Sequence, residues 1–389
     1  MVRIVFIHGR FPAGGAERVT IDIARYLHSV GGYAVYVYAS RVAQSLITED
    51  IANAITIRRI PSQAIQSYRS KVVERFIVED KIDVVVQVTK SLYGIEGIKC
   101  RTGVKTIVAN HGEPFWQRYA IVNRRQSGVV RQLMWHLYNK RRFADGRLAM
   151  EMAKSRTRRE YESCDAFVVL CDAYKRDMEQ MLAIEAGSSH ICAIENMESV
   201  VENPNLDKEK MLLFCGRFEN WSKCIDRLLR IWAEVQGRLS DWRLVLVGDG
   251  PDKAMLERMA EELHLERVSF EGRRSDVAYY YDKASVVCLT SKTEGWPLAL
   301  CEGQARGCIG VAFGCTAGVE TILSPSGKCG FVVAPFDEKQ YAETLLHIAS
   351  LNKESEMQIR RDGVAKCRNY APHIIAEKWR KLFDTLAQR

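Results

Sequence analysis

Several absences narrow the reading of this chain before any motif is used. No apolar run of roughly 18 residues or more occurs, so no segment reads as a membrane-spanning helix. The twelve cysteines never fall as Cys-x-x-Cys, and several, such as Cys215, Cys288 and Cys301, sit inside apolar runs. They read as reduced core thiols, which argues against both a disulfide framework and a zinc site. No Asp-x-Asp pair is present to seat a carboxylate-held divalent ion, so no metal is expected. The dinucleotide fingerprint Gly-x-Gly-x-x-Gly is missing too, which excludes the usual signature of a nicotinamide enzyme. Low-complexity tracts and internal repeats are missing as well. The opening residues run straight into a strand pattern with no cleavage region, so a cytosolic protein is expected.

What is present is an ordinary globular composition, 47% hydrophobic and 27% charged over 389 residues, enough for two domains with separate cores. Short apolar runs alternate with longer helical patterns from end to end, the signature of doubly wound α/β sheets. In the first half the strands are read at 2–7, 33–38, 55–59, 82–88, 105–110, 166–170 and 191–194. In the second half they fall at 211–215, 243–247, 268–270, 286–290, 309–313 and 330–333. A polar stretch holding Pro204 separates the halves, giving domains at 1–197 and 210–372, a linker at 198–209 and a terminal helical segment at 373–389. Two Rossmann-like halves of this kind bind ligands at the carboxyl ends of their strands, in a central cleft when they face each other.

The most informative stretch is Thr293-Glu294-Gly295-Trp296-Pro297-Leu298-Ala299-Leu300-Cys301-Glu302, two carboxylates eight residues apart across a loop-to-helix junction. Proline suits the first helical position, so a helix is expected to start near Pro297. The amides of Leu298 and Ala299 then form a phosphate-attracting helix start, with Glu294 before it and Glu302 more than one turn inside. Upstream, the strand ending at Cys215 runs into Gly216-Arg217-Phe218-Glu219-Asn220-Trp221-Ser222-Lys223 and a helical pattern at Ile225, Leu228, Leu229 and Trp232. Arg217 offers a planar fork and Lys223 a point charge, together suited to a diphosphate. Acids for hydroxyls beside cations and amides for a diphosphate describe a site for a nucleotide-sugar.

These residues resemble the family-4 retaining glycosyltransferases of GT-B fold. Gly216-Arg217…Lys223 matches that family's Gly-Arg…Lys-Gly loop, with Cys224 standing where the family has glycine. Glu294-Gly295-Trp296-Pro297…Glu302 matches its second motif. Gly14-Gly15-Ala16-Glu17 looks like its N-terminal Gly-Gly-Ala-Glu motif, and Asn196 sits where the family often has Asn before the linker. The resemblance implies an α/β, GT-B architecture whose terminal helix crosses back to the first domain. It also implies a UDP-linked hexose or N-acetylhexosamine donor and same-face attack without a metal or other cofactor. Glu294 is expected on the donor sugar, Glu302 on the ribose, and Arg217 and Lys223 on the leaving diphosphate. His111, after the strand 105–110, matches a family histidine that contacts the donor sugar. Gly14 and Gly15 offer unobstructed amides to a phosphate or acceptor, and Glu113 is a further acceptor candidate. The expected setting is polysaccharide or lipopolysaccharide assembly in a bacterium.

Charge is concentrated in one place. Residues 118–160 hold twelve Lys/Arg against three acids, which accounts for the whole formal excess of +8. Val130, Leu133, Met134, Leu137 and Tyr138 recur there at helical spacing, with Trp135 and Phe143 nearby. A basic amphipathic helix reads as a surface for anionic lipid, suited to a lipid-linked glycan acceptor and to a peripheral position on the inner membrane face. No nucleic-acid motif accompanies the charge. Two other readings stay open: a non-catalytic nucleotide-sugar-binding scaffold, and a GT-B-type epimerase acting on the nucleotide-sugar itself.

Overall fold

The computed structural model describes all residues except 13, 63–65, 89–94, 123–145, 186 and 389. The chain forms two compact units: one of Met1–Ile194 with Ala376–Arg389, the other of Glu195–Ile375. The first unit is built on a parallel sheet of β1 (Val2–Phe11), β2 (Tyr33–Val42), β3 (Ile55–Arg59), β4 (Val84–Val88), β5 (Lys105–Ala109), β6 (Ala166–Val169) and β7 (Ile191–Ala193). Its order is β3-β2-β1-β4-β5-β6-β7. The second unit has β8 (Glu209–Cys215), β9 (Arg243–Val247), β10 (Val268–Gly272), β11 (Ala284–Leu289), β12 (Ile309–Phe313) and β13 (Phe331–Val333). Their order is β10-β9-β8-β11-β12-β13, again all parallel. The sequence pattern gave the same strands, with ends displaced by at most a few residues, because a parallel strand buried on both faces reads as a continuous apolar run. In β4 and β12 every residue is buried.

Helices cover the sheets through single apolar stripes. In the helix Ile225–Val235 the buried residues Ile225, Leu228, Leu229, Ile231, Trp232 and Val235 face the core. Each large side chain so buried contributes about 1.5–3 kcal/mol. Trp232 also satisfies its indole N–H on the Glu266 carbonyl at 2.9 Å. The terminal helix, Pro372–Ala387, repeats the pattern with Ile375, Trp379, Phe383 and Leu386. Trp379 and Phe383 meet Phe6 of β1 at ring-centroid distances of 6.5 and 6.3 Å, so the helix seals the first unit's core. Tyr26 and Tyr33 donate to Glu377 and Asp384 of that helix at 3.2 and 2.6 Å.

The polar segment 198–209, read as a linker, lies within the second unit. Its polar groups have partners: the Glu198 amide donates to the Tyr370 carbonyl at 2.8 Å, and Lys208 Nζ to the carbonyls of Tyr281 and Asp282 at 3.0 and 2.8 Å. Both sheets reverse strand order once, at β1/β4 and at β8/β11. Such switch points are where open α/β sheets bind ligands, outside the carboxyl ends of the strands.

Candidate functional site

In the second unit the two loops at the switch point are the ones the motifs singled out: 216–223 after β8 and 290–297 after β11. Main-chain bonds lock them together. Thr290, fully buried, donates from Oγ1 to the carbonyls of Lys223 and Cys224 at 3.2 and 3.0 Å, and the Lys292 amide donates to the Ser222 carbonyl at 2.8 Å. This bracing brings Lys223 Nζ to 2.7 Å from Glu294 Oε1, the two side chains being 27% and 10% exposed. Ser291, 1% exposed, donates to the same carboxylate oxygen at 2.6 Å. Lys223 and Glu294 thus neutralise one another, and an anionic ligand must compete with Glu294 for the ammonium.

A third loop completes the frame. After β9, Gly248 and Gly250 press against the loop after β8: a Cβ on Gly248 would lie 1.8 Å from the Gly216 carbonyl oxygen, and one on Gly250 2.4 Å from that of Phe218. Gly248 has φ +147°, open to glycine and strained for other residues. The Phe218 amide donates to the Asp249 carbonyl at 3.0 Å, and the Asn220 amide to Asp252 Oδ2 at 2.7 Å. Where the resembled family has glycine, Cys224 adopts φ 46°, ψ 48°, a left-handed conformation costing an L-residue about 1–2 kcal/mol. That left-handed backbone is the physical reason a glycine suits the position.

Other expected residues fall differently. Arg217, 67% exposed, pairs with Glu219 Oε2 at 2.8 Å and makes no described ion pair with Glu294. Pro297 caps the helix Leu298–Ala305 from one residue before it, with φ −71° and ψ 97°, and so is not its first helical residue. Leu298 and Ala299 therefore carry the leading amides. Glu302, mid-helix, accepts at Oε2 from the Tyr281 hydroxyl at 2.9 Å. Gly216 has room for a Cβ, and Asn196 is buried within the second unit.

In the first unit, Gly14 has φ +135° and Gly15 opens the helix Gly15–Val30. Glu17 folds back over Gly14, so that a Cβ there would meet its Oε2 at 2.3 Å, and stands 3.7 Å from buried His8. His111 follows β5 and is half-buried. Glu113, the acceptor candidate, is buried and pairs with Arg118 at 2.6 Å. Most of the basic segment, including Val130, Leu133, Met134, Trp135, Leu137, Tyr138 and Phe143, lies outside the described residues. Of its described cations, Lys154 and Arg156 pair with Glu151 and Glu160 at 3.3 and 3.1 Å.

Sequence reasoning missed Gly248, Gly250, Ser291 and Tyr281. Gly248-Asp249-Gly250-Pro251 after a strand was a usable signal, since paired glycines at a strand end mark close backbone approach. Nothing local distinguishes Tyr281 from its neighbours Tyr279 and Tyr280. Among the described residues no group of His, Cys, Asp and Glu could hold a metal, and no helix is long and apolar enough to cross a membrane.

Two doubly wound parallel sheets are the architecture of GT-B glycosyltransferases, and comparison with known proteins places the chain in that class. Residues 13–196 match the model described as Glycosyltransferase Family 4 and residues 209–350 that described as Glycosyl transferases group 1, which makes the chain a family-4-type GT-B glycosyltransferase. An uncharacterized glycosyltransferase of Haemophilus influenzae is 24% identical over 96% of this chain and 98% of its own. The Campylobacter jejuni α-1,4-N-acetyl-D-galactosaminyltransferase acting on a diNAcBac-PP-undecaprenol-linked glycan is 22% identical over 98% of both. The crystal structure of Anabaena Alr3699/HepE in complex with UDP superposes with a TM-score of 0.72 at 14% identity, covering 99% of this chain and 100% of that one.

Proposed function

We propose that this enzyme moves a hexose or N-acetylhexosamine from a UDP-linked donor to a hydroxyl of a glycan or lipid-linked glycan, retaining the anomeric configuration. The observation that carries the reading is the Lys223–Glu294 pair, 2.7 Å apart at the second unit's switch point. There a diphosphate draws Lys223 away and leaves Glu294, still held by Ser291, to accept hydrogen bonds from the donor sugar. Lys223, Arg217 and the leading amides of Leu298 and Ala299 then stabilise charge on the departing diphosphate. Fixed donors of this kind are commonly the largest catalytic contribution, with one of them worth about 10²–10³ in kcat. Glu302 binds the ribose. Gly216 lets the phosphates approach the backbone. His111 contacts the donor sugar, Gly14 and Gly15 serve the acceptor or a phosphate, and Asn196 supports the donor site.

With cations supplying the neutralisation, no divalent ion or other cofactor is required. No side chain is assigned as a double-displacement nucleophile: the acceptor attacks on the face the diphosphate leaves, and a leaving-phosphate oxygen takes its proton. The PP-undecaprenol-linked glycan on which the Campylobacter jejuni relative acts supports a lipid-linked acceptor in polysaccharide assembly, and the basic segment suits a peripheral place on an anionic inner membrane surface. Anomeric configuration of the product, read by NMR with excess EDTA present, tests the reading: retention with undiminished turnover is expected. Inversion would overturn the mechanism, and loss of turnover restored by a divalent ion would overturn metal independence.

A further inference from the structure

Glu302 is held by an element other than its own. Tyr281, 2% exposed, lies in the helix Val277–Lys283 that feeds β11, and its hydroxyl donates to Glu302 Oε2 at 2.9 Å. That helix is fixed at its start by Asp276, whose side chain accepts from the Tyr279 amide. At its end the Tyr281 carbonyl accepts from Lys208 Nζ at 3.0 Å and from the Cys308 thiol at 3.1 Å. These bonds anchor the backbone that carries the ring, and its burial confines the ring itself. Burial, then the Glu302 charge, pushes the Tyr281 hydroxyl well above its ordinary pKa, so it remains a donor at every physiological pH. The neighbouring Cys215 thiol, at the end of β8, is pushed up to about 11 by burial and stays neutral. Glu302 thus meets a neutral, rigid donor. A glutamate in mid-helix otherwise turns about several soft torsions, and ordering it on binding costs affinity.

We infer that Tyr281 is a positioning residue for nucleotide recognition: by occupying Oε2 of Glu302 it sets the carboxylate plane against which the ribose hydroxyls of the donor bind. This rests on the reading of Glu302 as the ribose contact. The test is binding of UDP and of 2′,3′-dideoxyuridine 5′-diphosphate, by calorimetry, to wild type, Glu302→Gln, Tyr281→Phe and the double variant. Wild type should prefer UDP by about tenfold or more, the worth of a hydrogen bond to a charged group. Tyr281→Phe keeps the ring's volume and should weaken UDP by about tenfold while leaving the dideoxy analogue unchanged, with no further loss in the double variant. Equal weakening of both nucleotides, or no change in either, would overturn the inference while leaving Glu302 in place. A wild type that fails to bind UDP, or binds both nucleotides alike, would overturn the ribose reading and the inference with it. So would a Glu302→Gln variant that keeps the full preference.

Discussion

The two units present the same kind of sheet but treat their switch points differently. In the second unit, three loops after β8, β9 and β11 are tied by main-chain hydrogen bonds and by glycines in contact with carbonyls, and they carry a cation and a carboxylate to 2.7 Å. In the first, Gly14 and His111 lie on loops and Gly15 opens a helix, and the charged groups nearby, Glu17 beside His8 and Glu113 beside Arg118, are paired locally. A diphosphate and a ribose are invariant parts of a donor and reward rigid pre-organisation.

That contrast can be broken, most sharply at Glu294. Glu294→Gln should lower kcat by about 10²–10³ without weakening nucleotide-diphosphate binding, because Lys223 no longer has a carboxylate to compete with the diphosphate. Equal losses in turnover and binding would sink that division of roles. Next in size is the frame itself. Gly248→Ala forces a Cβ against the Gly216 carbonyl at a backbone angle alanine avoids, so chemical denaturation should find the protein about 2–4 kcal/mol less stable. A change within about 0.5 kcal/mol, the scale of ordinary surface substitutions, would mean the loops are not braced as described.

A smaller effect belongs to the first unit. Burial alone would raise the carboxyl of Asp165, but the Thr106 amide at 2.9 Å, with Lys99 and Lys105, holds it below its usual range. A carboxyl depressed on folding stabilises the protein above its unfolded value, about 3.9, and that contribution is lost as pH falls through the lower folded value. Asp165→Asn should therefore lower the melting temperature at pH 7, with the gap to wild type closing below about pH 4, where wild type itself begins to lose the contribution. The nucleotide-induced shift should be untouched. A nucleotide response that fell with this variant would erase the distinction between the units.

Sheet architecture was legible because buried parallel strands write themselves as apolar runs, as in Val84-Val85-Val86 and Ile309-Gly310-Val311. The meeting of Lys223 with Glu294 was legible only as two motifs 71 residues apart, which the β8–β11 pairing turns into a contact. Where partners come from distant elements and carry no motif, the sequence was silent: Tyr281 reaches Glu302 across 21 residues, and Thr290 reaches Lys223 across 67. Nor did polarity reveal that the segment 198–209 and Glu113 have protein partners, because a polar group with a buried partner looks, residue by residue, like one facing water.

The most direct test of the central claim, a nucleotide-diphosphate site built on Lys223 in the second unit, is thermal unfolding of wild type and Lys223→Ala against UDP, GDP, ADP and CDP. A ligand at 100 times its dissociation constant adds about 2.7 kcal/mol, enough to raise the midpoint by several degrees. Stabilisation of wild type by UDP above the other three, lost in Lys223→Ala, is the predicted result. Stabilisation that survives the substitution, or none from any of the four, would contradict it.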